Sequence, residues 1–439
     1  MSFKASLPAE CNPAESLPRP RIFVDCTQTH KRPVSTGIPR VVTNIVKHGR
    51  PAARERGADL IPVRFLMGHF LPLHTSPEDD LCRPRTRNDA DSRMHWILNR
   101  LRTLLAPKML RRAIRHVSER LQLVFQEPLQ FTAGDVLLLP DSSWAEPMWP
   151  AVDQALADGA ILGIIQHDFI PIRNPDLVPA DSASVFRRWT DETLRRAHYV
   201  MAVSRSVAAE AREELTNRGR ADVALYRVTA FRNGADLPRP SATETIRKEL
   251  IDFIGSPGHG PYLTVGTIEP RKNQATLLAA IDRVLQAAPD ARFLIAGIVG
   301  WKGKPIAESI RRHPGWPQKI RHFSGLSDAE LQFAYKHAKA VVFPSLAEGY
   351  GLPIVESLAQ GTRVFASDIP VHREIGGVHC VFFDPFNAAQ LADLLVAHSL
   401  RSQYDAMWPP VDYELPSWSA AAAQIVEQSL AYAVRRSTT

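Results

Sequence analysis

Residues 340–361, AVVFPSLAEGYGLPIVESLAQG, constrain the fold more than any other stretch, because they spell a strand, a glycine turn and a helix without a break. AVVF is a short apolar run of buried-strand type. Pro353 suits the first turn of a helix that carries Ile354, Val355, Leu358 and Ala359. In a parallel α/β sheet, ligands bind outside the carboxyl ends of the strands, where the next helix presents unpaired N–H groups and a positive dipole end. Glu348 falls in the turn and Glu356 in the first turns of the helix. Gly349 and Gly351 permit φ > 0 or a close approach of backbone to ligand. Neither carboxylate suits a phosphate, so both are fitted to accept hydrogen bonds from hydroxyls, as on a sugar or a ribose. Taken alone, Glu356 could equally complement the dipole of a surface helix.

The same order recurs along the chain in two series. In the first, strands are expected at 21–24, 60–65, 135–139, 161–165 and 199–203, with helical patterns from Gly37 onward and after Ser204, a plausible helix cap. In the second, strands at 263–265, 292–296, 340–343, 364–366 and 380–383 each lead to a turn or helix. Strands alternating with helices imply parallel βαβ construction. With 439 residues the chain exceeds what one core normally serves. The expected architecture is therefore α/β, two doubly wound Rossmann-like domains facing each other across a cleft. The first spans 1–240 with a basic helical insertion at about 76–130. A linker covers 241–260, with room for a short helix at 243–254. The second domain spans 261–415, and a C-terminal helix at 416–439 is expected to pack back toward the first domain.

Cys11, Cys26, Cys82 and Cys380 are far apart and form no metal-type spacing, which reads as free thiols in a reducing compartment. No apolar run approaches the roughly 18–20 residues of a membrane span, and the first twenty residues lack a signal-peptide core. A cytoplasmic protein is expected. The charge is local: residues 81–120 hold eleven Lys or Arg against three Asp or Glu, a balance of +8, whereas the whole chain carries +7. This argues against a nucleic-acid binder and for one basic patch. The 93–121 helices alternate arginines with an apolar stripe. Such helices either lie on an anionic membrane surface or pack on their own domain. The expectation adopted is peripheral association with the inner face of the cytoplasmic membrane.

GTIEPRKN, residues 266–273, follows a strand and precedes a helix, so Gly266, Arg271 and Lys272 stand where a diphosphate would meet side-chain charge and a helix N-terminus. His167 and Asp168 follow another strand, where a histidine is either a packed residue or a hydrogen-bonding group in the cleft. No acidic pair or His cluster has ligand spacing, so no metal is expected.

Residues 344–361 match, residue by residue, the donor-site signature of the retaining glycosyltransferases of family 4, two glutamates separated by seven residues. The chain resembles that family from about residue 21 to the final helix. The resemblance implies a GT-B fold, a nucleotide-sugar donor (GDP-mannose first, UDP-linked sugars next), no metal, and retention of anomeric configuration. By the same resemblance Glu348 touches the transferred sugar, Gly349, Tyr350, Gly351 and Leu352 offer backbone groups to sugar and phosphate, and Glu356 holds the ribose. Arg271 and Lys272 match the family's Arg-Lys pair, and His167 with Asp168 its His-Asp pair. Thr36 and Gly37 resemble its first-domain glycine loop, with Asp25 and Arg40 flanking that loop. Ser204, Asn233 and Gly234 match positions at the cleft's edge. The acceptor implied is a glycan or lipid-linked oligosaccharide of a bacterial surface polysaccharide. Two other readings are a GT-B scaffold without turnover, and a glycosidase using Glu348 and Glu356, which requires carboxyls about 5–5.5 Å apart.

Overall fold

The computed structural model describes residues 19–31, 37–73, 126–237, 244–255, 260–400 and 413–437. Thr36, Cys11, Cys82, the 81–120 charge cluster and the 93–121 helices lie outside these residues.

Seven strands form the first sheet: β1 (Arg21–Asp25), β2 (Asp59–Leu66), β3 (His69–Pro72), β4 (Val136–Leu139), β5 (Ile161–Gln166), β6 (Tyr199–Ala202) and β7 (Val228–Ala230). They lie in the order β3-β2-β1-β4-β5-β6-β7. All neighbours are parallel except β3, which pairs antiparallel with β2. That strand departs from the all-parallel expectation because the two-residue connection Met67–Gly68 turns the chain straight back. Met67 and Gly68 both take positive φ there, 47° and 91°.

The second sheet holds β8 (Tyr262–Val265), β9 (Phe293–Ala296), β10 (Ile320–Phe323), β11 (Ala340–Phe343), β12 (Val364–Ser367) and β13 (Cys380–Phe383). Its order is β10-β9-β8-β11-β12-β13, wholly parallel. Helices cover both faces, so the central strands are buried throughout: β4, β5, β9 and β11 have no partly exposed residue. Each fully buried aliphatic side chain there contributes roughly 1.5–3 kcal/mol. Helix Lys248–Ile254, within the span expected as linker, buries Leu250 and Ile254. Arg292 donates to the Phe253 and Ile254 carbonyls and so fastens that helix to the second lobe.

Helix Ile38–Glu55 starts with Pro39 in its first turn and buries Val41, Val42, Ile45, Val46, Ala52 and Ala53 at helical spacing. The chain returns to it at its end. Helix Trp418–Ser437, which follows the second domain in sequence, packs on helix Ile38–Glu55. Its Tyr432 stacks on Tyr199 of β6 at 4.5 Å, and the Tyr199 hydroxyl donates to Ser429 at 2.8 Å. The two lobes are thereby joined by the 244–255 segment and by the C-terminal helix. One apolar core runs from the first lobe into Phe343, Tyr350, Ile354 and Val355 of the second.

Candidate functional site

The carboxyl ends of β8 and β11 build the centre of the site. After β8, Gly266 takes φ 143° and the chain passes through a single 3-10 turn, Pro270–Lys272, before helix Gln274–Ala287. After β11, the turn 344–351 enters helix Leu352–Ala359 through Gly351 at φ 100°, a conformation that disfavours a side chain. The two turns are bonded together, Leu346 donating to the Arg271 carbonyl at 2.9 Å.

Arg271 and Lys272 converge on Glu348. Arg271 Nη1 donates to Glu348 Oε2 at 2.9 Å and to the Ala347 carbonyl at 3.0 Å, while Lys272 Nζ donates to Glu348 Oε1 at 2.5 Å. Arg271 also gives its Nε and Nη2 to Glu269. Four of the five guanidinium N–H groups are thus committed, and two of the three ammonium N–H groups of Lys272 are left for a ligand. Lys272 therefore supplies the available charge, and Arg271 chiefly fixes Glu348. Burial alone would raise the Glu348 carboxyl, but Arg271 and then Lys272 overcome it and hold the group at about 2. The lysine moves the other way: burial pulls it below its usual value despite Glu348. The carboxylate's gain is therefore offset at the ammonium, and the cluster is built for fixed charge more than for net stability.

The first lobe contributes the loop after β5. Nε2 of His167 lies 2.7 Å from the Pro140 carbonyl, which only accepts, so Nε2 carries the proton and Nδ1 keeps a lone pair. Burial lowers the imidazole's pKa, keeping it neutral. The Asp168 carboxylate accepts from Ile170 N at 3.0 Å, which braces the turn that leads into the short helix Ile170–Arg173. Burial raises this carboxyl, with Arg271 the leading opposing influence.

The remaining expected positions fall into distinct places. Tyr350 is 5% exposed and gives its hydroxyl to the Asn233 carbonyl at 2.9 Å, so its side chain serves the contact between lobes. Ser204 caps helix Arg205–Asn217 and donates to the Gly349 carbonyl at 2.9 Å. Gly234 packs against Trp418, and Asp25 is wholly buried on Thr27 and Ser143. Gly37 is exposed at φ 62°, immediately ahead of helix Ile38–Glu55, and Leu352 opens helix Leu352–Ala359. Glu356 is 4% exposed with both oxygens engaged, one by Arg40 and the other by the Tyr335 hydroxyl.

Three residues outside the expected set belong to the site. Glu269 anchors Arg271, and its position within GTIEPRKN was a visible signal. His372, fully buried, places Nδ1 at 3.0 Å from the Ser367 carbonyl. Ser367 Oγ already donates to Ser345 O, so the imidazole proton sits on Nδ1. Burial holds this histidine at about 4 and neutral, though Glu348 pulls it upward. Glu374 reaches from helix Pro370–Gly376 to the first lobe and accepts from Arg205 N at 2.6 Å and from Ser206 N and Oγ at 2.8 and 2.7 Å. A carboxylate of one lobe thereby caps a helix of the other, an arrangement with no local sequence signal.

This geometry weighs against a glycosidase. A general acid needs a raised carboxyl. Glu348 is held at about 2 by two cations, and Glu356 is committed to Arg40 and Tyr335. Among the described residues no group of three or more acidic, His or Cys side chains could hold a metal ion, and no helix is long and apolar enough to cross a membrane.

Residues 253–398 match the family model described as Glycosyl transferases group 1. The chain is 29% identical over 265 residues to the serotype-specific mannosyltransferase WbdA of Escherichia coli, covering 58% of this chain and 32% of that protein. It is 32% identical over 152 residues to the O-antigen chain mannosyltransferase B of Escherichia coli, covering 34% and 38%. The chain thus spans about a third of the length of these curated relatives. In fold it is similar to Anabaena Alr3699/HepE in complex with UDP-glucose, with TM-score 0.53, 14% identity, and coverage of 95% of this chain and 100% of that one. It is likewise similar to the catalytic domain of starch synthase IV from Arabidopsis thaliana bound to ADP and acarbose, with TM-score 0.56, 13% identity and the same coverage. The two facing parallel-sheet lobes are a GT-B fold.

Proposed function

Because the chain carries a group 1 glycosyltransferase domain as the second lobe of a GT-B pair, we propose that it transfers a hexose from a nucleotide sugar to a hydroxyl of a growing bacterial surface polysaccharide. The observation that carries this is the convergence of Lys272 and Arg271 on Glu348 at the strand ends of the second lobe, directly against the His167 loop of the first.

In this reading the diphosphate lies at the two free N–H groups of Lys272, near the start of helix Gln274–Ala287. The cation stabilises the charge that develops as the sugar C1–O bond breaks. Glu348, fixed and ionised, accepts from hydroxyls of the transferred sugar. The Nδ1 lone pair of His167 accepts from a further hydroxyl. The acceptor oxygen bonds to C1 on the face that the diphosphate leaves, with retention of configuration, and the acceptor proton passes to the departing phosphate oxygen. Lys272 does the work that a divalent ion would otherwise do, so the reaction is proposed to need neither metal nor resident cofactor. Similarity to mannosyltransferases favours GDP-mannose as donor, with UDP-linked sugars next. The acceptor proposed is a lipid-linked oligosaccharide, with the 93–121 segment bringing the protein to an anionic membrane.

The test is release of nucleoside diphosphate from a panel of GDP- and UDP-sugars in the presence of lipid-linked oligosaccharide, with and without chelator. Release from one donor, insensitive to chelator and lost in Glu348→Ala, supports the reading. Nucleotide binding without release would point to a scaffold instead.

A further inference from the structure

Glu356 and Arg40 stand 316 positions apart in the chain and meet in the wall between the lobes. Arg40 lies in the first turn of helix Ile38–Glu55 of the first lobe and is 8% exposed. One arm of its guanidinium bonds Glu356 Oε1, and the other reaches Asp328 at 2.8 Å. Glu356 Oε2 accepts from the Tyr335 hydroxyl at 2.8 Å. All three partners of this arginine centre belong to the second lobe: Asp328 and Tyr335 to helix Asp328–His337, and Glu356 to helix Leu352–Ala359.

We propose that Arg40 is a positioning residue that ties the closing of the lobes to the hold on the donor's ribose, by supplying the charge partner and orientation of Glu356 only when the lobes are shut. The inference deepens the function proposed above and depends on it for the identity of the ribose.

A carboxylate has about four lone-pair sites. Arg40 and Tyr335 take one on each oxygen, which leaves one on each oxygen for a pair of neighbouring hydroxyls, the pattern that a ribose presents. With the lobes parted, Glu356 keeps only Tyr335 and loses the guanidinium that fixes its Oε1. Arg40 would likewise lose both counter-charges at once. The closed form is therefore the one in which Glu356 has its cation beside it and is aimed for a diol. By linkage, whatever closure adds to the hold on ribose, bound ribose adds to closure. The contacts of Glu374 and Tyr350 with the first lobe do not involve Arg40, so Arg40→Ala leaves each lobe folded while weakening what holds the lobes shut.

The experiment compares wild type with Arg40→Ala and Arg40→Lys in two measurements. Small-angle scattering without ligand reads the opening of the lobes. Calorimetric titration reads the affinity for GDP and UDP, with inorganic pyrophosphate as the probe that lacks ribose. Arg40→Ala is expected to increase the radius of gyration and to weaken the nucleoside diphosphate by about tenfold or more, with pyrophosphate changed less than about twofold. Arg40→Lys, one point charge in place of a fork, is expected to recover part of both. An unchanged radius overturns the clamp. Unchanged or tighter nucleotide binding overturns the positioning role, since Arg40 would then stand apart from the ribose or compete with it. A wild type that binds neither GDP nor UDP overturns the donor reading and the ribose half of the proposal, and the scattering still decides the clamp.

Discussion

Gly349 lies so close to His167 that a Cβ placed on it would stand 1.8 Å from the His167 carbonyl oxygen. No side chain fits there, and the neighbour is backbone, which cannot swing aside. This approach is what brings the Glu348 turn against the His167 loop. Gly349→Ala is therefore expected to lower the melting temperature, because backbone at the seam between the lobes must give way. It should lower kcat/KM by about a hundredfold, because the reacting groups are displaced by an ångström or more. Steady-state kinetics beside thermal unfolding separates the two effects.

Lys272 and Arg271 should not behave alike. Lys272→Ala removes the cation with free N–H groups and is expected to lower kcat by about 10²–10³-fold, the scale of losing one preorganised donor in a transition state. Arg271→Lys keeps a charge but breaks the four-bond fastening of Ala347, Glu348 and Glu269. It should cost stability, by about 3–5 kcal/mol at most, besides activity. Urea unfolding of both variants, read beside their turnover, checks the division of labour.

Glu374 reads as a fastening of the lobes. Glu374→Ala takes the cap from Arg205 N, Ser206 N and Ser206 Oγ and should lower stability by about 1–2 kcal/mol. Glu374→Gln, which keeps an acceptor oxygen, should recover part of that loss in the same denaturant series.

Burial, and then the nearby Asp141, push the Asp25 carboxyl up to about 7, and bonds from Ser143 and Thr27 offset this only in part. The folded pKa lies above the unfolded value near 3.8, so the contribution to stability is complete below that value and is lost as pH rises through about 7. Asp25→Asn carries no ionisation penalty. The stability of the variant relative to wild type is expected to improve between pH 4 and 8 by up to roughly 4 kcal/mol. Unfolding midpoints across that range test it, and a constant gap contradicts it.

Much of the fold could be read from the chain because each central strand is an uninterrupted apolar run next to a helical pattern. Residues 136–139 and 340–343 show this most clearly. The meeting of Arg271, Lys272 and Glu348 was legible for a related reason: each lies in a turn after a strand, and strand ends of a parallel sheet meet in one place. The edge strand His69–Pro72 was not, since it is short, half exposed and defined by a turn of two residues at positive φ. The roles of Arg40, Tyr335, Asp328 and Glu374 were also hidden. Those of Arg40, Asp328 and Glu374 depend on how one lobe seats on the other, that of Tyr335 on how two helices of the second lobe pack, and no spacing along the chain encodes a contact such as Arg40 to Glu356. For Tyr350 the motif gave no sign that the side chain reaches across to Asn233.

The most direct measurement is a crystal structure with the unhydrolysed donor bound, GDP-mannose first. The account predicts diphosphate oxygens within hydrogen-bond distance of Lys272, hydroxyls of the sugar on Glu348, and the ribose diol on Glu356 with Arg40 still in place. A nucleotide lodged elsewhere, or a diphosphate with no contact to Lys272, would contradict it.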